Sequence, residues 1–246
     1  MRAIDVREGR VQAAVFTMRR RGTPLRFVCF PMIHVATPSF YAEVRRLLTS
    51  CDLIVAEGVR GRSRPLTALT LAYRLAPRFR RRGLQLQDYV TLLPPGVPVI
   101  NPDVSAAEFL ADLRHMPRRE YWLMFAVAPV LGLVFAVCGP RPFLTRHLMV
   151  ELPTVLRPEV LRAEEMRDAM RRKGIAVDDP FTAANRRREH MLLDALTTIH
   201  EQRNDQPVAV AVVYGAAHAP VVAAGLMIRH GYRVREAQLL TVFHSE

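Results

Sequence analysis

Lysine is nearly missing from this sequence: Lys173 stands alone among 35 basic residues, and the rest are arginine. Such a bias reflects coding composition as readily as a binding surface. The basic runs Arg19-Arg20-Arg21, Arg78-Phe79-Arg80-Arg81-Arg82 and Arg186-Arg187-Arg188 are scattered. No nucleic-acid-binding motif or basic–aromatic stacking array joins them, so nucleic acid is not an expected partner. The formal charge of +12 leaves an anionic ligand or membrane surface as the acidic counterpart. Cysteine is scarce and odd in number. Cys29, Cys51 and Cys138 lack metal-like spacing, which argues against a disulfide framework and predicts reduced thiols in a cytoplasmic setting. The opening MRAIDVREGR is too polar and charged for a secretory signal, so none is expected. There is no HExxH or other zinc motif and no G-x-S-x-G elbow, which leaves zincin and serine-hydrolase readings without support. Internal repeats at solenoid periods and low-complexity stretches are missing too.

What is present is a globular composition. The chain has 246 residues, 50% hydrophobic and 24% charged, enough to bury a sizeable core. Residues 10–18 alternate as a strand does, RRRGTP forms a turn, and 25–33 is a second strand. Thr37-Pro38 supplies an N-cap and a first-turn proline for a helix over 38–48. DLIVAE (52–57) is a short apolar run of the kind that buried parallel strands show. Residues 64–83 read as helical with a break at Pro77, and 97–101 as a short strand. A helix over 180–202 precedes a final β-α-β with strands at 208–214 and 233–243. The predicted fold is α/β: one domain, 1–246, with a central mixed sheet flanked by helices. A helical insertion over 104–173 separates the N-terminal β/α part from the C-terminal β-α-β.

Within that insertion, Tyr121 to Cys138 runs eighteen residues without a charge, interrupted by Pro129 and Gly132. Its length suits a membrane span, but a single span would place strands of one sheet on opposite sides of a bilayer. A buried or dimer-forming helical pair, or peripheral contact with a membrane, is the expectation instead.

Histidine marks two strand ends. His34 follows the 25–33 strand and His218 follows the 208–214 strand, and each leads into a proline that can open a helix, Pro38 and Pro220. Carboxyl ends of strands form the usual ligand crevice of an α/β sheet. A helix N-terminus beside each ring predicts neutral imidazole, the form that ligates metal or acts as a base. Glu57 ends a third strand, ahead of Gly58. Its plainer reading is a carboxylate paired with a buried arginine; three polar strand ends together point to a site.

These residues resemble the TraB/PrgY/GumN family, which is grouped with Tiki-type proteases, ChaN-like haem-binding proteins and erythromycin-esterase-like hydrolases. The family's second GxxH stands here as Gly215-Ala216-Ala217-His218. Residues 33–59 are similar to its N-terminal block with His34 and Glu57, and GLQLQ (83–87) and NPDVSAAEF (101–109) to further blocks. The first GxxH departs from the pattern, reading Pro31-Met32-Ile33-His34. The resemblance implies a hydrolase site with His34, Glu57, His218 and the late-helix arginine, aligned on Arg187, as catalytic residues. It implies His34, Glu57 and His218 as ligands of Mn²⁺ or a similar divalent ion in the Tiki-like version, or a metal-free histidine base in the esterase-like version. Tyr214, Gly215, Gln87 and Asp103 are the expected ligand-lining residues. The alternative is a non-catalytic binding or regulatory protein for a peptide, pheromone-like or tetrapyrrole ligand.

Overall fold

Eight strands form one mixed sheet, and what decides their order is which of them are apolar on both faces. The computed structural model describes residues 1–7, 9–61, 63–69, 83–119, 121–127, 130, 150–152 and 180–244. In chain order the elements are β1 (Arg2–Arg7), β2 (Arg10–Arg19), β3 (Arg26–Met32), β4 (Val35–Ala36), α1 (Pro38–Leu48), β5 (Leu53–Ala56), α2 (Arg64–Leu69), β6 (Gln85–Leu86), α3 (Tyr89–Leu92), β7 (Val99–Ile100) and α4 (Ala106–Leu113). They continue with β8 (Val150–Glu151), α5 (Pro180–Arg203), β9 (Ala209–Gly215), a 3-10 turn (Ala216–His218), α6 (Ala219–His230) and β10 (Arg233–His244).

The sheet order is β7-β5-β9-β3-β2-β1-β8, with β10 also paired to β2. The first four strands are parallel and the remaining pairings antiparallel. In β9 the first six residues, AVAVVY, are buried, as a strand covered on both faces requires. Its alternate residues enter different cores. Ala209, Ala211 and Val213 pack with Phe40, Tyr41, Val44 and Leu48 of α1. Val210, Val212 and Tyr214 pack with Leu192, Leu193 and Leu196 of α5 and Val222, Ala223 and Leu226 of α6. The molecule is therefore α/β in three layers.

Adjacent β3 and β9 run parallel, yet the helices that follow them, α1 and α6, lie on opposite faces. Their connections diverge at the carboxyl edge, which is where open α/β sheets bind ligands. Local chemistry fixes the exits. Thr37 caps α1 through the Phe40 N–H, with Pro38 in the first turn. Pro31 is tolerated within β3 because pairing to β2 ends at Cys29; beyond it β3 has only β9 beside it.

The 104–173 span is not purely helical. Its described part holds α4, helical residues at 121–127, and the short strand β8, which extends the sheet by pairing with β1. Of the 121–138 run, residues 128, 129 and 131–138 lie outside the described residues, as do 70–82 of the helix read over 64–83. Among the described residues no helix is long and apolar enough to cross a membrane. Trp122 and Leu123 are nonetheless largely exposed.

Candidate functional site

β5 and β9 end side by side, with Ala56 opposite Val213, so Glu57 and Gly215 emerge at the same level of the carboxyl edge. Glu57 stays anchored to the sheet by its N–H, which donates to Val213 O at 2.9 Å. Its Oε2 accepts the Gly215 N–H. A Cβ at position 215 would sit 3.0 Å from that oxygen, so glycine there lets the two strand ends meet.

The charge that balances Glu57 comes from α5. Arg188 Nη2 donates to Glu57 Oε1 at 2.7 Å and to Asp103 Oδ2 at 2.8 Å, while Nε donates to Asp103 Oδ1 at 2.8 Å. Asp103 is fully buried and also accepts the N–H groups of Gly58 (3.0 Å) and Val104 (2.8 Å). Gly58, at φ +155°, adopts a backbone open almost only to glycine; its carbonyl accepts from Asn101 Nδ2 at 2.8 Å. Burial pulls the Arg188 guanidinium down, but the two carboxylates outweigh it and keep it charged.

His218 lies at the end of the 3-10 turn and is 9% exposed. Its Nδ1 is 2.9 Å from Glu189 Oε1, a hydrogen bond. Its Nε2 is 3.6 Å from Glu57 Oε1, an ion-pair distance beyond hydrogen-bond reach. Burial disfavours the charged ring, yet Glu189 and Glu57 prevail and lift it to about 9. The sequence-based expectation of a neutral ring is thus corrected: two carboxylates at contact distance outweigh the partial charge of a helix N-terminus. Glu57 responds in the opposite sense. Burial pushes its carboxyl up, but His218, Arg188 and the Gly215 N–H hold it at about 2.

The expected site residues divide. Glu57, His218, Gly215 and Asp103 come together, and Tyr214 sets its ring edge-on to His218 at 6.1 Å. His34 is exposed and fastened to Gln87, by Nδ1 to Oε1 (3.1 Å) and by its carbonyl to the Gln87 N–H (2.8 Å). Arg187 points away from Glu57 to Glu108 (3.0 Å) and Asp112 (3.4 Å) on α4. The arginine at Glu57 is its neighbour Arg188, because one residue turns a helix by roughly 100°. The buried face of α5, Leu192, Leu193, Leu196 and Ile199, leads back by four residues to 188 and 189. That periodicity favours Arg188 among the three adjacent arginines, and it could have found Glu189, which no motif marked.

The three residues expected to ligate a metal are each engaged otherwise. Among the described residues no group of three or more His, Cys, Asp or Glu side chains could hold an ion. His34 is joined to Gln87, Glu57 to Arg188, and His218 carries a proton on the nitrogen facing Glu189. Nor does concavity alone mark the site. A cleft of about 510 Å³ opens at the other end of the sheet, over Val28, Phe30 and Ala209, and holds none of these residues. In comparison with known proteins, the chain matches no family model, no curated protein and no solved structure.

Proposed function

We propose that the chain is a metal-independent hydrolase of esters or peptides, with His218 as general base. One observation carries this reading: the chain of contacts Glu189–His218–Glu57, buried at the adjoining carboxyl ends of β5 and β9. Glu189 takes the Nδ1 proton in a hydrogen bond and so leaves Nε2 as the basic nitrogen, the logic of an acid-oriented histidine. Nε2 and Glu57 Oε1 are spaced so that one water can bond both. In its neutral form His218 takes a proton from that water as the oxygen attacks the carbonyl carbon and the carbonyl π pair moves to oxygen. The imidazolium is stabilised by both carboxylates, then returns the proton to the leaving oxygen or nitrogen as the C–O or C–N bond breaks. Arg188 is a positioning residue: Asp103 and Glu57 occupy its donors, so it holds Glu57 rather than the substrate.

The base must be neutral to act. With His218 lifted to about 9, kcat/KM is expected to rise with pH and level off above that value. The test is turnover of p-nitrophenyl acetate and a peptide panel from pH 6 to 10. His218→Asn is expected to lose roughly 100-fold or more, and a chelator to leave the rate unchanged. Full activity in His218→Asn, or loss to chelator restored by Mn²⁺, would contradict the reading.

A second reading draws on the same charged histidine. An imidazolium locked between carboxylates suits a binding or regulatory protein for a peptide or pheromone-like ligand, and disfavours ligation of a tetrapyrrole metal. Saturable binding without product would favour it. Exposed Trp122, Leu123 and Val127 support contact through the 121–138 run, with a second copy or a membrane surface.

A further inference from the structure

Three polar atoms at the site are not used by its own network. Tyr214 is only 4% exposed, and its phenol oxygen has no hydrogen-bond partner among the described residues. The Tyr89 phenol oxygen and Gln87 Nε2 are buried and bond no other group, and the Gln87 side chain approaches the Tyr89 phenol as a donor. Buried hydroxyls elsewhere in the molecule are satisfied: Tyr41 donates to Ile33 O at 2.7 Å, and the Tyr232 oxygen lies 3.1 Å from His200 Nδ1. Unpaired buried polar atoms are rare in native proteins, and their clustering at one place calls for a ligand.

Their placement is selective. Tyr214 packs in the core beneath α5 and α6, whereas Tyr89 packs against the core beneath α1. The two phenols therefore flank the carboxyl edge from opposite faces of the sheet. Gln87 follows β6, and its other amide atom is occupied by His34. Burial, with the negative charges of Glu57 and Asp103, pushes both phenols up, so they remain protonated donors. The charges around it are already paired: Glu57, Asp103 and Glu189 stand against Arg188, His218 and, at the Asp103 carbonyl, the more exposed Arg60. An anion entering there would be buried with the nearby cations already engaged, while a neutral oxygen would only need donors.

We propose that Tyr214, Tyr89 and Gln87 form a donor cradle for an uncharged oxygen, so that the site takes neutral carbonyl compounds and rejects anionic ones. The cradle deepens the hydrolase reading by naming its substrate class, and it would place the phenols where oxyanion charge develops.

Binding is measured by calorimetry with 4-nitroacetophenone, a neutral ketone without a leaving group, and with 4-nitrobenzoate, its anionic counterpart. Hydrolysis of p-nitrophenyl acetate and thermal unfolding are followed in parallel. The ketone is expected to bind at least about tenfold more tightly than the carboxylate, and Tyr214→Phe and Tyr89→Phe each to weaken it by about fivefold to tenfold. Both variants should keep or raise Tm, because they delete a hydroxyl that bonds no group outside the cradle in the free protein. Equal binding of the two probes, ketone binding unchanged in both variants, or a clear fall in Tm in either would overturn the cradle. If the ketone binds in a tyrosine-dependent way and no ester is turned over, the cradle stands and the hydrolase reading falls. If esters are cleaved equally by wild type and both variants, the cradle falls and the hydrolase reading stands.

Discussion

Arg188 and Arg187 are chemically identical and adjacent, yet the structure gives them unlike surroundings. Arg188 is almost wholly buried against Glu57 and Asp103; the Arg187 side chain is 45% exposed. Removing one partner of a buried pair leaves charge uncompensated, whereas an exposed pair contributes little. Arg188→Met is expected to destabilise by about 3–5 kcal/mol, and Arg187→Ala by no more than about 0.5 kcal/mol, both read from urea unfolding. Equal losses would mean that the helix register at Glu57 is wrong. At this scale the sequence was partly legible. Glu57 and His218 could be picked out because each is a polar residue ending an apolar strand, whereas Gly215 and Asp103 entered only through the GxxH motif and the NPDVSAAEF block. Glu189 was harder to read, since a glutamate beside arginines on a helix ordinarily faces water and only its spacing to the buried Leu193 and Leu196 sets it inward. Its partnership with His218 is visible only once α5 is laid on β9.

The elements bring these residues together through one close helix contact. A Cβ at Gly225 on α6 would lie 2.4 Å from Cδ2 of Leu193 on α5, so the helices approach over bare backbone. α5 carries Arg188 and Glu189, and α6 begins just after His218, its N-cap; their spacing sets the geometry of the site. Gly225→Ala is expected to destabilise by about 1–3 kcal/mol through overpacking and to lower activity as Glu189 withdraws from His218. Circular dichroism melts with parallel rate measurements check this; an unchanged melt would show that Leu193 yields freely. Most of these elements announce themselves in sequence, because β2, β3, β5, β9, α1, α5 and β10 are each an apolar or alternating run of useful length. Four strands do not. β1 (RAIDVR) is half charged, and β4, β6 and β8 have two residues each, so pairing partners rather than their own pattern define them.

Across the whole molecule, the candidate site is assembled from residues 57, 103, 188–189 and 215–218, segments that only the completed sheet and α5 unite. A chain with a net charge of +12 keeps at its sheet edge a buried cluster in which carboxylates outnumber cations. That cluster ties folding to pH with a definite sign. His218 moves from 6.5 up to about 9, so its contribution to stability is complete below pH 6.5 and disappears as pH rises through about 9. Glu57 moves from 4.5 down to about 2, so its contribution is present above pH 4.5 and lost as pH falls through about 2. The reading of the site rests above all on His218 being held between Glu189 and Glu57 as a charged ring. The most direct measurement is an NMR titration of the His218 imidazole from pH 5 to 11, in the wild-type protein and in Glu57→Gln. A midpoint near 9 is expected, shifted downward in the variant; a midpoint near 6.5 in both proteins would mean that the carboxylates do not hold the ring charged.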